Sequence, residues 1–145
     1  RAMMSLRLDK FFGSWLSEFS PDYTCAETGL DRFISFKKEA DFIGRTAAEA
    51  ERDTGPARRL CAFEVEAEDA DVNAYEPVWL DGKVVGFCTS GGYSHYARKS
   101  IAQAFVPADK AEAGLEVEIE ILGKMRKATL VTEVLFDAGG SRMRG

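Results

Sequence analysis

The sequence predicts a mainly β chain: an antiparallel sandwich or barrel of about six short strands, preceded by a mixed, mostly helical piece. Three observations carry this. In "LEVEIEILG", Leu115, Val117, Ile119 and Ile121 alternate with Glu116, Glu118 and Glu120. A helix would scatter these residues around its axis, so period two wins. In "EPVWLDGKVVGFCTS", Asp81-Gly82 is a turn pair between two apolar runs, the mark of a hairpin. The character of the chain also changes at Gly55-Pro56, from Ala/Glu-rich helical pattern to apolar alternation.

The elements follow in order. "RAMMSLRLDKFF" has apolar residues at 3, 4, 6, 8, 11 and 12, which predicts a short amphipathic helix. Gly13 to Tyr23 is aromatic and irregular, with a turn signal at Ser20-Pro21-Asp22. "ETGLDRFISF" is ambiguous between helix and strand. "DFIGRTAAEAER" contains a helix that Thr54-Gly55-Pro56 stops. "RLCAFEVEA" reads as the first strand, and the Asp81-Gly82 hairpin supplies two more. Thr89-Ser90-Gly91-Gly92 reads as a turn or loop leading into "SIAQAFV". After the alternating strand, Gly123-Lys124 turns the chain into "MRKATLVTEVLF". No internal repeat and no low-complexity segment interrupts this.

The chain has 145 residues, enough for one ordinary domain, or one domain plus a fragment of another. Hydrophobic residues make up 46% and charged residues 30%, which suits a packed globular protein. A net charge of −5 gives no support to a general nucleic-acid binder. No apolar run approaches the ~20 residues that cross a bilayer, and no secretory signal pattern opens the chain. Cys25, Cys61 and Cys88 are odd in number and not at metal-ligand spacing. They read as reduced thiols, and the expected compartment is the cytoplasm. One histidine, His95, makes a His/Cys zinc site a poor reading. The opening Arg1-Ala2-Met3-Met4 runs straight into a helical pattern, as expected of a piece of a longer protein.

No phosphate loop, dinucleotide fingerprint or nucleophile elbow is present. A Ser90–His95 pair is conceivable as a nucleophile and base, but a surface or packing role is the default for His95. Arg98, Lys99, Lys124, Arg126 and Lys127 could face a carboxylate or phosphate, or form a solvated face. Glu116, Glu118 and Glu120 are best explained as the wet side of a strand. Asp9 and Glu27 lie near Phe11, Phe12, Trp15 and Tyr23. An acid among aromatics suits a flat heterocycle with N–H donors, and equally the surface of a helix beside a loop core.

Three blocks carry a resemblance. "GFCTSGGYSHYARKSIAQAFVP" resembles the Thr-Ser-Gly…Lys-x-Ile-Ala-x-Ala-Tyr/Phe-Val signature of the glycine-cleavage T-protein (aminomethyltransferase) family. "SLRLDKFFGSW" resembles its Leu-Arg-Leu-Glu segment, and "CAETGLDRFISFKKEADFIGR" its Glu-x-Gly-Leu-Asp…Asp-Phe-Ile-Gly run. The blocks keep the family's order and look most like the folate-dependent module of dimethylglycine and sarcosine dehydrogenases.

The resemblance implies a C-terminal antiparallel six-stranded β-barrel over residues 56–145, preceded over residues 1–55 by a short α+β remnant of a folate-binding domain. It implies tetrahydrofolate as cofactor, with FAD in an N-terminal domain of the parent; charge and hydropathy lead to no expected nucleic-acid or membrane partner. The partners implied are folate and the flavin and folate domains of the same polypeptide. The family's catalytic aspartate lies N-terminal to anything matched here, so the chain is expected to be inactive alone, and no catalytic residue is assigned. The cofactor-binding candidates are Arg1, Arg7, Asp9, Tyr93 and Lys99. Asp9 stands where the family has a longer acid, and Met3 where it has a folate-contacting arginine. Tyr93 and Lys99 are expected to shape the entrance or the domain interface. The other class of reading is a non-catalytic β-barrel that braces or dimerises a larger enzyme; a fragment of a stand-alone aminomethyltransferase is a further possibility.

Overall fold

A computed structural model describes residues 2–145; Arg1, a cofactor-binding candidate, lies outside the described residues. Helices α1 (Ala2–Asp9), α2 (Cys25–Thr28) and α3 (Arg45–Thr54) precede six strands. These are β1 (Arg58–Val65), β2 (Pro77–Leu80), β3 (Lys83–Ser94), β4 (Lys99–Pro107), β5 (Glu116–Ile121) and β6 (Lys124–Val131), and a short α4 (Ser141–Arg144) follows. The strands close a barrel in the order β1-β4-β3-β2-β5-β6, with β6 pairing back to β1 and every pair antiparallel.

The alternating strand behaves as its pattern dictates. Val117, Ile119 and Ile121 are buried in the barrel core, while Glu116 and Glu118 face out. Two tight turns set the register of the hairpins. Asp81 and Gly82 have φ of 51° and 74° between the paired Leu80 and Lys83. Leu122 and Gly123 have φ of 50° and 76° between the paired Ile121 and Lys124. Positive φ at both central residues is the two-residue hairpin geometry that matches strand twist.

Strand β4 is buried from Ser100 through Val106. Ala102, Ala104 and Val106 belong to the barrel core. Gln103 and Phe105 instead meet the N-terminal piece, which covers this side of the sheet. Tyr23 stacks on Phe105 with ring centroids 4.2 Å apart, and the Arg58 guanidinium lies over both rings. Leu8, fully buried, sits against the backbone of Gly92.

Four expectations change in the folded chain. Thr89 to Gly92 is no turn: β3 runs through it to Ser94, and the reversal comes four residues later, with Arg98 at φ 57°. Glycine serves close approach here. A Cβ on Gly91 would stand 2.5 Å from Val72 Cβ and 2.6 Å from its carbonyl oxygen. Gly91→Ala is therefore expected to destabilise the barrel by about 1–3 kcal/mol, read from chemical denaturation, because Val72 and its loop must move. Second, α1 ends at Asp9, because Phe11 takes the left-handed conformation (φ 53°) in which glycine usually ends a helix. The Phe12 amide then donates to the Arg7 carbonyl (3.0 Å), closing the helix end. Third, the apolar residues of α1 do not form a buried face: Met3, Met4 and Leu6 are exposed. Fourth, β6 stops at Val131, and the tail turns back so that the Phe136 amide donates to the Asp9 carbonyl (3.0 Å).

Candidate functional site

The buried polar chemistry of the chain gathers where α1 and the turn after it meet β3 and β4. Its centre is Glu18, fully buried. The carboxylate accepts from the Ser14 amide (2.6 Å), the Ser17 hydroxyl (2.8 Å) and the Ser90 hydroxyl (2.5 Å), and it pairs with Arg7 Nη1 at 3.3 Å. Arg7 Nη1 also donates to the Phe12 carbonyl (2.9 Å) and to Gln103 Oε1 (3.2 Å). Ser90 lies 3.2 Å from Gln103 Oε1, and Thr89 donates to the Gln103 carbonyl. The backbone explains the convergence. The segment from Gly13 turns tightly enough for its own amide and hydroxyl to reach Glu18, and the bulge between Cys88 and Ser90 re-aims the hydroxyls of β3.

Burial pushes the Glu18 carboxyl up, but the donors Ser90, Ser14 and Ser17 outweigh it, and its pKa lies below the ordinary glutamate value. A carboxylate held ionised with its neighbours committed holds structure together; a general acid or base near neutrality needs the opposite shift. Thiolate chemistry at Cys61 and Cys88 is also disfavoured. Burial pushes Cys61 up to about 11 and Cys88 up to about 12, and all three cysteines are free.

The candidates from the sequence fall into two separate places. Arg7 joins the Glu18 network with its Nε and Nη2 buried and without hydrogen-bond partners. Asp9 is buried beside it in sequence, and its Oδ1 likewise has no partner. Tyr93 and Lys99 instead line a wide, solvent-open groove at one end of the barrel with Arg98, Ser100 and Arg126, which Arg7 and Asp9 do not line. Lys99 pairs there with Glu64 (2.6 Å). The Tyr93 ring meets His95 edge-on at 5.1 Å, and its carbonyl accepts from Ser5 (2.7 Å), which ties α1 to the β3 end.

The structure decides between the alternatives left open for other residues. Ser90 is committed to Glu18, not to the exposed His95. Glu27 does not join Asp9 around a heterocycle: it caps α2 through the Thr24 amide and pairs with Arg58 at 2.8 Å. Lys124 and Arg126 both pair with Asp69. Sequence reasoning missed Glu18. The available signal was its isolation: it is the one charged residue in "GSWLSEFS", and serines flank it at the spacing that lets them donate. On the outer side of the same region, Leu6, Trp15 and Leu16 are largely exposed. Among the described residues no helix is long and apolar enough to cross a membrane.

Comparison with known proteins places this geometry. The family described as the glycine cleavage T-protein C-terminal barrel domain matches residues 58–137. Mitochondrial dimethylglycine dehydrogenase of Mus musculus is 42% identical over 143 residues, covering 99% of this chain and 16% of the relative. An aminomethyltransferase of Desulfitobacterium hafniense is 31% identical, covering 94% of this chain and 37% of that protein. The crystal structure of glycine cleavage system aminomethyltransferase T from Bartonella henselae superposes with a TM-score of 0.83 at 25% identity, over 94% of this chain and 38% of that one. The chain thus spans well under half the length of these relatives.

Proposed function

Because the chain belongs to the glycine cleavage T-protein family, as its C-terminal barrel part, we propose that it is the C-terminal portion of a tetrahydrofolate-dependent one-carbon transfer module. The parent would be a dimethylglycine or sarcosine dehydrogenase-like flavoprotein, which oxidises an N-methyl group at a flavin and passes the carbon to tetrahydrofolate. The observation that carries this reading is the similarity to dimethylglycine dehydrogenase along 99% of the chain. The flavin and the rest of the folate site would lie in parts of the relatives' length that this chain does not span.

The residues present fit a supporting share of a folate site. Arg7 Nε and Nη2 are donors without partners, and Asp9 Oδ1 is an acceptor without one. A buried polar atom left unpaired is costly, so such groups suit a ligand that completes them. Arg7 would hold a carbonyl or carboxylate of the folate, and Asp9 would accept from ring or amine N–H groups. Bound tetrahydrofolate supplies the amine nucleophile that takes up the one-carbon unit. Glu18 orients Arg7 from behind, and the exposed Leu6, Trp15 and Leu16 suit a face against further protein that excludes water. Tyr93 and Lys99 would shape the entrance or a domain interface, and Arg1, which precedes α1, is proposed on the same resemblance.

We further propose that residues 1–55 are the remnant of the folate-binding domain and residues 56–145 a barrel that folds by itself. Residues 56–145, expressed alone, should melt cooperatively, at a lower temperature than the whole chain because Phe105 and Gln103 lose their cover. A non-cooperative melt would overturn independent folding.

One observation favours a second reading, a bracing barrel that touches no ligand: Lys99 and the Tyr93 backbone are already engaged within the chain. Full-length parent incubated with an N-methyl amine and tetrahydrofolate separates the two. Methylenetetrahydrofolate that is lost in the Arg7→Gln and Asp9→Asn parents, with flavin reduction kept, supports the folate reading. Unchanged methylene transfer in both variants supports bracing.

A further inference from the structure

The tail after β6 returns to the end of α1, and the two border a solvent-open pocket of about 540 Å³ that neither the Glu18 network nor the Tyr93 groove uses. That volume falls within the range of small-molecule sites. Its cations are Lys10, Arg32 and Arg144, brought from three distant parts of the chain. Among the described residues, no carboxylate lines it. This runs against the composition, since the chain has 24 acids and 19 bases. Lys10 is partly compensated from outside the pocket: its ammonium donates to the Asp137 carbonyl (2.5 Å) and lies 3.9 Å from that residue's carboxylate. Arg32 and Arg144 form no ion pair among the described residues. Arg32 lies over the Phe33 ring at 4.9 Å, and Arg144 donates to the Gly139 carbonyl. These contacts orient the two guanidinium groups without neutralising them.

The rest of the lining is apolar or aromatic. Phe11 and Phe12 form one wall, and the left-handed backbone of Phe11 turns the chain here; Phe12 is half exposed. Met143 adds to the lining from the tail. Three cations with one carboxylate near them repel one another, and an anion relieves that repulsion. Two guanidinium forks suit oxyanions, which they can bind in bidentate fashion. The aromatic wall suits the body that carries those oxyanions.

We propose that this pocket binds a small organic anion bearing two or more oxyanion groups on an apolar or aromatic body. The proposal rests on the pocket alone, not on the folate reading. The probe is benzene-1,3,5-tricarboxylate, titrated calorimetrically into the whole chain at low ionic strength, with inorganic phosphate in a parallel arm. Arg32→Gln/Arg144→Gln is compared with Arg142→Gln, which removes a nearby charge that stacks on Phe136 and does not line the pocket. All three substitutions are at exposed residues, and a thermal melt of each variant checks that it folds.

Saturable binding of the tricarboxylate is expected, weakened about tenfold or more by the double substitution and less than about twofold by Arg142→Gln. It should weaken as salt is raised. No binding, or equal losses in the two variants, would overturn the site. Phosphate binding as tight as the tricarboxylate would overturn the assignment of an organic body.

Discussion

Glu18→Ala is expected to cost about 3–5 kcal/mol of folding stability, measured by chemical denaturation. The carboxylate is fully buried, and its removal strands the Arg7 guanidinium, itself only 10% exposed, opposite an empty space. The Ser14 amide, Ser17 hydroxyl and Ser90 hydroxyl lose their acceptor in the same step. Glu18→Gln should cost less, since an amide oxygen can still accept some of these bonds. It should also change the acid limb of stability. The folded-state pKa of Glu18 lies below its unfolded value, so its contribution is complete above about pH 4.3 and is lost as pH falls through the folded value. Glu18→Gln should therefore lose less stability on acidification than the wild type. Equal acid sensitivity in the two proteins would contradict the assignment.

Ile119→Ala is expected to cost about 2–5 kcal/mol, while Glu118→Ala stays within about 0.5 kcal/mol. Ile119 is fully buried and sits opposite Val78, also fully buried, across the β2–β5 pair. Shortening it opens a cavity between rigid strands that cannot collapse to fill it. Glu118 is exposed opposite Lys127 on β6, where a cross-strand pair in solvent contributes little. Similar small losses from both substitutions would contradict the inward and outward assignment of β5.

The difference between these two residues marks what the sequence makes legible. The facing of Ile119 is written in its neighbours, because period-two alternation is local. The hairpin at Asp81-Gly82 is equally local, since the turn residues themselves demand positive φ. Glu18 is not legible in this way. Ser90, which donates to it, is 72 residues away, and nothing near Glu18 announces that distance. Gly91 misleads for the same reason: its missing Cβ makes room for Val72, so a glycine pair that reads as a turn lies inside a strand. Arg7 and Asp9 become candidates only through resemblance of a short motif. Their separation from Tyr93 and Lys99 depends on how α1 lies on β3, which no local pattern encodes.

On the proposed reading, this chain supplies a supporting share of a folate site whose main holding groups lie elsewhere in the parent. Calorimetric titration of tetrahydrofolate into the chain and into the full-length parent tests this sharing. Losing one charged, buried partner of a ligand typically costs about 2–5 kcal/mol, roughly 30-fold to several thousandfold in affinity. Binding by the parent is expected and, for the chain alone, binding weakened by at least that much or absent. Micromolar binding by the chain alone would contradict the claim of a shared site, and a parent that does not bind tetrahydrofolate would contradict the folate reading itself.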